Sequence, residues 1–339
     1  MVIGNWIFMI ESLLAYGMWV AIVLIIVGFV ALVKGADWLV DGASAIAKRF
    51  GISDLVIGLT VVAFGTSMPE FMVNMVSVAH GTTDLAITNI LGSNIINTFV
   101  ILGLTALVYP ISSQKHSRNF DIPLSMMAGF MVLAMVVFQA PFENVPGISR
   151  MGGIVLLGMF AFFLFDAFRH AKDQPEAVSD QSSVVSEPLS IGKAIGLIIG
   201  GLAGLSIGGE LIVDSAVDLA TRFGVSEAII GLTIVALGTS LPELATSIMA
   251  AYKHNSDIAI GNVFGSNIFN VFFVLGMSAL VHPLPAYEGI EVDAFMAALG
   301  SIVVWLCLRT NKERVFKRWG GALLVLIYAG YLTVRLIES

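Results

Sequence analysis

Ten apolar runs alternate with short polar stretches along the chain, near residues 17–34, 55–79, 85–109, 121–139, 150–169, 192–212, 228–252, 258–281, 291–308 and 318–336. A helix that crosses a bilayer needs about 20 mostly apolar residues, so the pattern predicts an all-α membrane protein with ten transmembrane helices. The second, third, seventh and eighth runs are interrupted by Gly, Pro, Ser, Thr and Asn. Irregular or polar backbone is tolerated at membrane depth only where protein buries it or a polar cavity faces it. Residues 171–190, rich in Ser, Asp, Glu, Gln and Pro, cannot bury a core and predict an aqueous linker between two halves.

The two halves repeat one another. Gly51-Ile52-Ser53 recurs as Gly224-Val225-Ser226, and Gly65-Thr66-Ser67-Met68-Pro69-Glu70 as Gly238-Thr239-Ser240-Leu241-Pro242-Glu243. The same offset of 173 residues carries Gly92-Ser93-Asn94-Ile95-Ile96-Asn97 onto Gly265-Ser266-Asn267-Ile268-Phe269-Asn270, and about half of residues 51–103 are identical to their counterparts. Each half holds an odd number of predicted spans, so the second enters the membrane from the opposite side. The expected architecture is two inverted-topology five-helix repeats, 1–170 and 191–339, joined by the linker 171–190.

Charge sets the expected orientation. With the N-terminus outside, all of the 17 Lys and Arg except Lys34, Arg150, Arg222 and Arg335 fall on the cytoplasmic side, and Lys34 lies near it. That bias follows the positive-inside rule and predicts both termini outside with the linker cytoplasmic. The chain is 57% hydrophobic and 12% charged, against about a quarter charged in soluble domains. Lipid is therefore its main solvent, and nothing suggests nucleic acid or an obligatory protein partner. Residues 1–16 have no basic leader and include Glu11, so the first apolar run is expected to be a retained span. The single cysteine, Cys307, allows no internal disulfide and reads as packing.

Glu70 and Glu243 are the candidate chemistry. A carboxylate deep in a span costs about 2.5 to 3.5 kcal/mol or more unless partnered or hydrated, and no Lys or Arg shares these segments. The partner must be a proton, a bound cation or water. Two carboxylates meeting at a repeat interface suit a divalent cation with hard oxygen ligands; the bland alternative is a pair of protonated structural glutamates. Gly65, Gly238, Pro69 and Pro242 permit breaks in the two helices, and the carbonyls of Ala63, Thr66, Ala236 and Thr239 can then face the same ion, or the breaks are simple kinks. Ser93 with Asn97 and Ser266 with Asn270 are i, i+4 pairs. Asn97 and Asn270 are read as ion contacts, Asn94 and Asn267 as interhelical packing. Asp84 and Asp257 look like N-caps, Asp41 and Asp214 like a hydrated face after spans one and six. The five histidines lie at span ends or in loops without metal-ligand spacing.

The two Gly-Thr-Ser-x-Pro-Glu and two Gly-Ser-Asn-Ile-x-Asn segments resemble the paired alpha-repeats of the cation/calcium exchanger superfamily, most closely its prokaryotic sodium/calcium exchangers. The repeats correspond to residues 58–103 and 231–276. The resemblance implies Ca2+ held by Glu70 and Glu243 with oxygens of Thr66 and Thr239. It further implies one Na+ site at Ala63, Thr66, Ser67, Glu70 and Ser93, and its twin at Ala236, Thr239, Ser240, Glu243 and Ser266. Asn97 and Asn270 would line the middle. Asn270 stands where potassium-dependent relatives carry Asp, which argues against K+ cotransport, and the Thr-Ser-x-Pro-Glu pattern differs from that of the proton-coupled branch.

The implied function is secondary active exchange of Na+ for Ca2+ by alternating access in a prokaryotic cytoplasmic membrane, with no cofactor and no enzymatic step. Three Na+ against one Ca2+, as the family implies, would make it electrogenic. A Ca2+/H+ antiporter is the alternative, and a cation channel a more distant one.

Overall fold

The computed structural model describes residues 17–138, 147–171, 189–224 and 236–338. The first predicted span is the helix α1, Met18–Phe50. A break divides the second into α2, Asp54–Thr66, and α3, Met68–Ala79, bent by 45°. Then follow α4 (Thr83–Val108), α5 (Ser117–Val137), α6 (Arg150–His170) and α7 (Ile191–Arg222). A helical turn at Ala236–Gly238 leads into α8 (Leu241–Tyr252). The chain closes with α9 (Ser256–Val281), α10 (Ile290–Thr310) and α11 (Arg318–Glu338). Among the described residues seven helices are long and apolar enough to cross a membrane, or eight with the bent pair. The linker segment 172–188 and most of the first half of the seventh run lie outside the described residues.

Both first helices of the halves are longer than the apolar runs suggest. α1 continues past residue 34 to Phe50 and α7 past residue 212 to Arg222. The reason is amphipathic: beyond Lys34 the buried face continues through Ala36, Leu39, Val40, Ala43 and Ala47, so tertiary packing sustains a helix where lipid no longer does. Asp41 and Asp214 thus lie within these helices, not after them. α1 ends where Gly51 takes a left-handed conformation at φ 61°, a stop that glycine adopts without a side-chain penalty. At about 1.5 Å per residue, α1 spans about 50 Å, more than a hydrocarbon core of about 30 Å.

α1 and α7 pack along each other through small residues. A Cβ on Gly35 would sit 2.7 Å from Leu205 N, and one on Gly201 2.7 Å from Leu39 N. Such backbone approach is how helices associate in lipid, where burial of apolar surface offers little gain. Within the apolar window of α9, 94% of residues are buried inside the protein, against 22% for α1 and α7. α9 is therefore the centre of the bundle and α1 with α7 its lipid-facing flank. α2 crosses α9 equally closely: a Cβ on Gly265 would meet Leu59 O at 2.6 Å and Ala63 Cβ at 2.7 Å.

Two short antiparallel strand pairs tie the halves crosswise. β1 (Ile111–Ser112) pairs with β4 (Val315–Phe316), and β2 (Gly147–Ile148) with β3 (Leu284–Pro285). Around β1 and β4, Lys253 Nζ contacts Asp37 and Asp41 at 2.6 Å each, Asn255 donates to Asp54 at 2.7 Å, and Trp305 Nε1 donates to Arg118 O at 3.0 Å. Near β2 and β3, Arg150 Nε donates to Leu280 O at 3.3 Å.

Asp84 and Asp257 are not caps. Each is the second residue of its helix, and at α9 the cap is Asn255, whose side chain accepts from Ile258 N, while Asp257 accepts from Gln114 Nε2 at 2.5 Å.

The outer helices α10 and α11 share a buried acid. Asp293 accepts from Tyr287 Oη at 2.6 Å, Tyr331 Oη at 2.7 Å and Arg335 Nη2 at 3.3 Å. Asp293→Asn removes the charge that these donors were arranged around. It is expected to cost about 1–3 kcal/mol, read as a lower melting temperature in detergent. An unchanged melting curve would show that the cluster contributes nothing to holding these helices.

Candidate functional site

The break between α2 and α3 builds half of the site. Ser67 leaves helical geometry at φ −84°, ψ 9°, and Pro69 stands in the first turn of α3, where a missing N–H costs nothing. Glu70 thereby sits in the first turn of α3, and Glu243 in the first turn of α8 behind Ser240 and Pro242. A helix start presents unpaired N–H groups and positive dipole, which favours a carboxylate there. Both glutamates are completely buried, and among the described residues neither forms an ion pair.

Their hydrogen bonds cross between the halves. Ser67 Oγ donates to Glu243 Oε1 at 2.7 Å, and Ser240 Oγ donates to Glu70 Oε1 at 3.4 Å. Each carboxylate is therefore held by the serine that precedes the other one. Ser266 adds a third bond, to Glu243 Oε1 at 3.4 Å, whereas Ser93, its counterpart, makes no such bond to Glu70 among the described residues. Glu70 Oε2 and Glu243 Oε2 have no hydrogen-bond partner among the described residues.

The threonines are placed unequally. Thr66 Oγ1 donates to Ala63 O at 3.3 Å and to Asn262 Oδ1 at 3.0 Å. The Thr239 hydroxyl lies by Glu70 without a hydrogen bond of good geometry. Ala63 O accepts from Ser67 N at 3.0 Å as well. The backbone at Ala236 opens a helical turn, and its side chain lies outside the described residues.

The asparagines form a second layer. Asn94 Nδ2 donates to Asn267 O at 3.0 Å and Asn267 Nδ2 to Thr98 Oγ1 at 2.7 Å, locking α4 to α9. Their side-chain oxygens in turn accept from the other pair: Asn97 Nδ2 reaches Asn267 Oδ1 at 3.3 Å, and Asn270 Nδ2 reaches Asn94 Oδ1 at 3.1 Å. Anchoring one N–H of the NH2 group fixes which end of the carboxamide faces its neighbour and turns the oxygen the other way, with one N–H still to spare. Asn97 Oδ1 and Asn270 Oδ1 are buried and without a hydrogen-bond partner among the described residues. Both helices pass into a π turn here, Ile96–Ile101 and Phe269–Leu275, a local widening found often at functional positions.

Asn262 is a site residue that the sequence reading missed. Its Nδ2 donates to Glu243 O at 3.2 Å and Ser247 Oγ at 2.9 Å while its Oδ1 accepts from Thr66, so it joins both broken helices. The signal was present: Asn262, Ser266 and Asn270 continue one stripe at four-residue spacing, and Asn89, Ser93 and Asn97 repeat it at the same offset. One flank of this layer is aromatic. Phe269 lies 4.2 Å from Phe64 and 4.9 Å from Phe273 between ring centres.

Two buried carboxylates without basic partners, surrounded by hydroxyl and carboxamide oxygens inside an apolar helical bundle, define an integral, multi-pass membrane protein that handles cations. The chain belongs to the sodium/calcium exchanger protein family, whose model matches residues 20–168 and 193–337, and its class of activity is cation antiport. It is 38% identical to the inner membrane protein YrbG of Escherichia coli over 271 residues, covering 78% of this chain and 81% of that one. It is 32% identical to the sodium/calcium exchanger MaX1 of Methanosarcina acetivorans over 346 residues, covering 92% and 97%. The structure of the sodium/calcium exchanger from Methanococcus jannaschii matches with a TM-score of 0.79 at 29% identity, covering 94% of this chain and 99% of that one.

Proposed function

We propose that this protein exchanges Na+ for Ca2+ by alternating access, as a secondary active transporter of ten spans in two inverted five-helix repeats, 1–170 and 191–339. The observation that carries the reading is a group of buried oxygens in the site that make no hydrogen bond among the described residues: one on each of Glu70, Glu243, Asn97 and Asn270, with the Thr239 hydroxyl beside them. An uncompensated buried acceptor costs free energy, and a hard cation that prefers carboxylate and carbonyl oxygen is the partner it suits. Ca2+ would sit between Glu70 and Glu243 with Thr66 and Thr239. One Na+ would take Ala63, Thr66, Ser67, Glu70 and Ser93; its twin would take Ala236, Thr239, Ser240, Glu243 and Ser266. At Ala63 the ion would replace the Thr66 hydroxyl.

The element bounds support the repeat. α1 and α7, α3 and α8, α4 and α9, and α5 and α10 begin 173 residues apart. Alternating crossings by the ten predicted spans put both members of each strand pair on one side. The side with β1 and β4 carries the basic residues and, by the positive-inside rule, the linker 171–190; both termini then lie outside. Sodium as the coupling ion is supported by the Thr-Ser-x-Pro-Glu segments and by relatives named as sodium/calcium exchangers, and a prokaryotic cytoplasmic membrane by the relative named as an inner membrane protein. With both glutamates ionised, one Ca2+ neutralises the pair and three Na+ leave it one unit positive, so exchange is electrogenic, worth about 2.3 kcal/mol per 100 mV for each net charge.

The test is Ca2+ uptake into Na+-loaded proteoliposomes diluted into Na+-free buffer, beside choline-loaded and pH-gradient arms. Uptake that needs internal Na+ and grows with an inside-positive potential is expected, since exported Na+ then carries out more charge than Ca2+ brings in. Uptake driven by the pH gradient alone would assign the protein to Ca2+/H+ antiport instead.

A further inference from the structure

We propose that His116, Asp166 and His170, backed by Asp121, form a binding site for a borderline transition-metal dication of the Zn2+ class, separate from the transport site.

The ligand atoms are already gathered. His116 immediately precedes α5, and Asp166 and His170 lie one turn apart at the end of α6. His116 Nε2 is 3.0 Å from Asp166 Oδ2 and 3.8 Å from Asp121 Oδ1; His170 Nδ1 is 3.1 Å from Asp166 Oδ1. The imidazole rings are 4.5 Å apart between centres. One ligand atom from each of His116, Asp166 and His170 can be chosen so that all lie within 4.8 Å of one another. A tetrahedral ion with bonds of about 2.0 Å holds its ligands about 3.3 Å apart, so small rotations suffice.

A plain His–Asp ion-pair cluster is the rival explanation, and the buried oxygens it leaves over argue against it. Two carboxylates face two imidazoles. Asp121 is 1% exposed, and its Oδ2 has no hydrogen-bond partner among the described residues. Ser117 Oγ, four residues before it, is likewise buried and unpartnered. A pair cluster leaves these two buried oxygens without a partner, at a cost in free energy, and carboxylate oxygen beside imidazole nitrogen is a donor set that a metal ion uses. The donor set selects the metal: imidazole nitrogen suits Zn2+, Ni2+ or Co2+, whereas Ca2+ takes six to eight oxygens. The His116 and His170 side chains are 19% and 35% exposed, so an ion can reach them from water. A bound metal would fasten the start of α5 to the end of α6 just ahead of Ala171, where the linker begins.

The experiment titrates Co2+ into the purified full-length protein and follows its visible absorption. One equivalent is expected, displaced by Zn2+ but not by Ca2+. His116→Gln and His170→Gln should each weaken binding at least about tenfold, and Glu243→Gln should leave it unchanged. No Co2+ band, binding indifferent to both histidine variants, or binding lost only in Glu243→Gln would overturn the proposal. Should the variants fail to elute as folded protein, the wild-type chain decides: Zn2+ should shield His116 and His170, but not His80 or His282, from diethylpyrocarbonate, as read by peptide mass. Equal labelling with and without Zn2+ would reject the site. Each readout is binding, so its failure is distinct from failure of the exchange reaction.

Discussion

Glu243→Gln is expected to abolish Na+-dependent Ca2+ uptake while leaving the protein folded. Glutamine keeps the shape and one acceptor oxygen for Ser67 and Ser266, so packing around the start of α8 survives. What disappears is one of the two charges that would face the ion in the proposed site. A unit charge pair about 4 Å apart is worth about 4 kcal/mol at an effective dielectric of about 20, and a dication roughly doubles that. Even a small part of it exceeds the 1.4 kcal/mol that makes a factor of ten in affinity, so uptake should fall by at least about a hundredfold. The new amide NH2 also presents a donor where a cation would bind. Two measurements check this: isotope uptake, and the rise in melting temperature on adding Ca2+, which the variant should lose because only a ligand that binds the native state stabilises it. A variant that still takes up Ca2+ at the wild-type rate would remove Glu243 from the ion site.

Asn94→Leu is the second large effect, and it tests how the middle of the site is aimed. Asn94 donates to Asn267 O and accepts from Asn270 Nδ2. Its loss leaves a buried carbonyl and a buried amide unpaired, each at a cost of about 1–3 kcal/mol. Stability should fall by a few kcal/mol, and Asn270, released from its clamp, should no longer be held with its oxygen in a fixed direction. The KM for Ca2+ is therefore expected to rise about tenfold or more. Asn270→Ala provides the comparison, with a similar rise in KM and a smaller loss of stability, because it strands only the Asn94 oxygen. The double variant should then be no worse in KM than either single one, as residues acting through one contact are not additive. Additive losses would mean that Asn94 contributes to ion binding by some other route.

These expectations rest on unequal halves. Thr98, which receives the Asn267 amide and itself donates to Asn94 O at 3.1 Å, has Val271 as its counterpart. Asn262 joins Thr66 to Glu243 O, whereas Asn89, among the described residues, makes only the equivalent of the Asn262–Ser247 bond, donating to Asn74 Oδ1 at 2.9 Å. A duplicated chain can diverge in this way because the two copies line one site from different elements, and the differences invite separate measurement of the two proposed Na+ positions.

The apolar runs and the doubled segments were legible in the residue order because their causes are local. Each spanning stretch must satisfy its own backbone and shed its own polar side chains in hydrocarbon, whatever its neighbours do, and a duplication writes Glu70 and Glu243 into the chain twice with their Gly, Ser and Pro. That much reached the helices near the predicted runs and the candidate carboxylates. What the residue order did not reveal arises between distant segments. Ser67 serves Glu243, not its own Glu70, only because two broken helices meet; α1 runs on to Phe50 only because a buried face carries it. His116 joins Asp166 and His170 across some fifty residues, a spacing that follows no ligand motif. Spans are set by the solvent around each segment, whereas partners are set by packing, and packing is decided when the segments meet in the folded bundle.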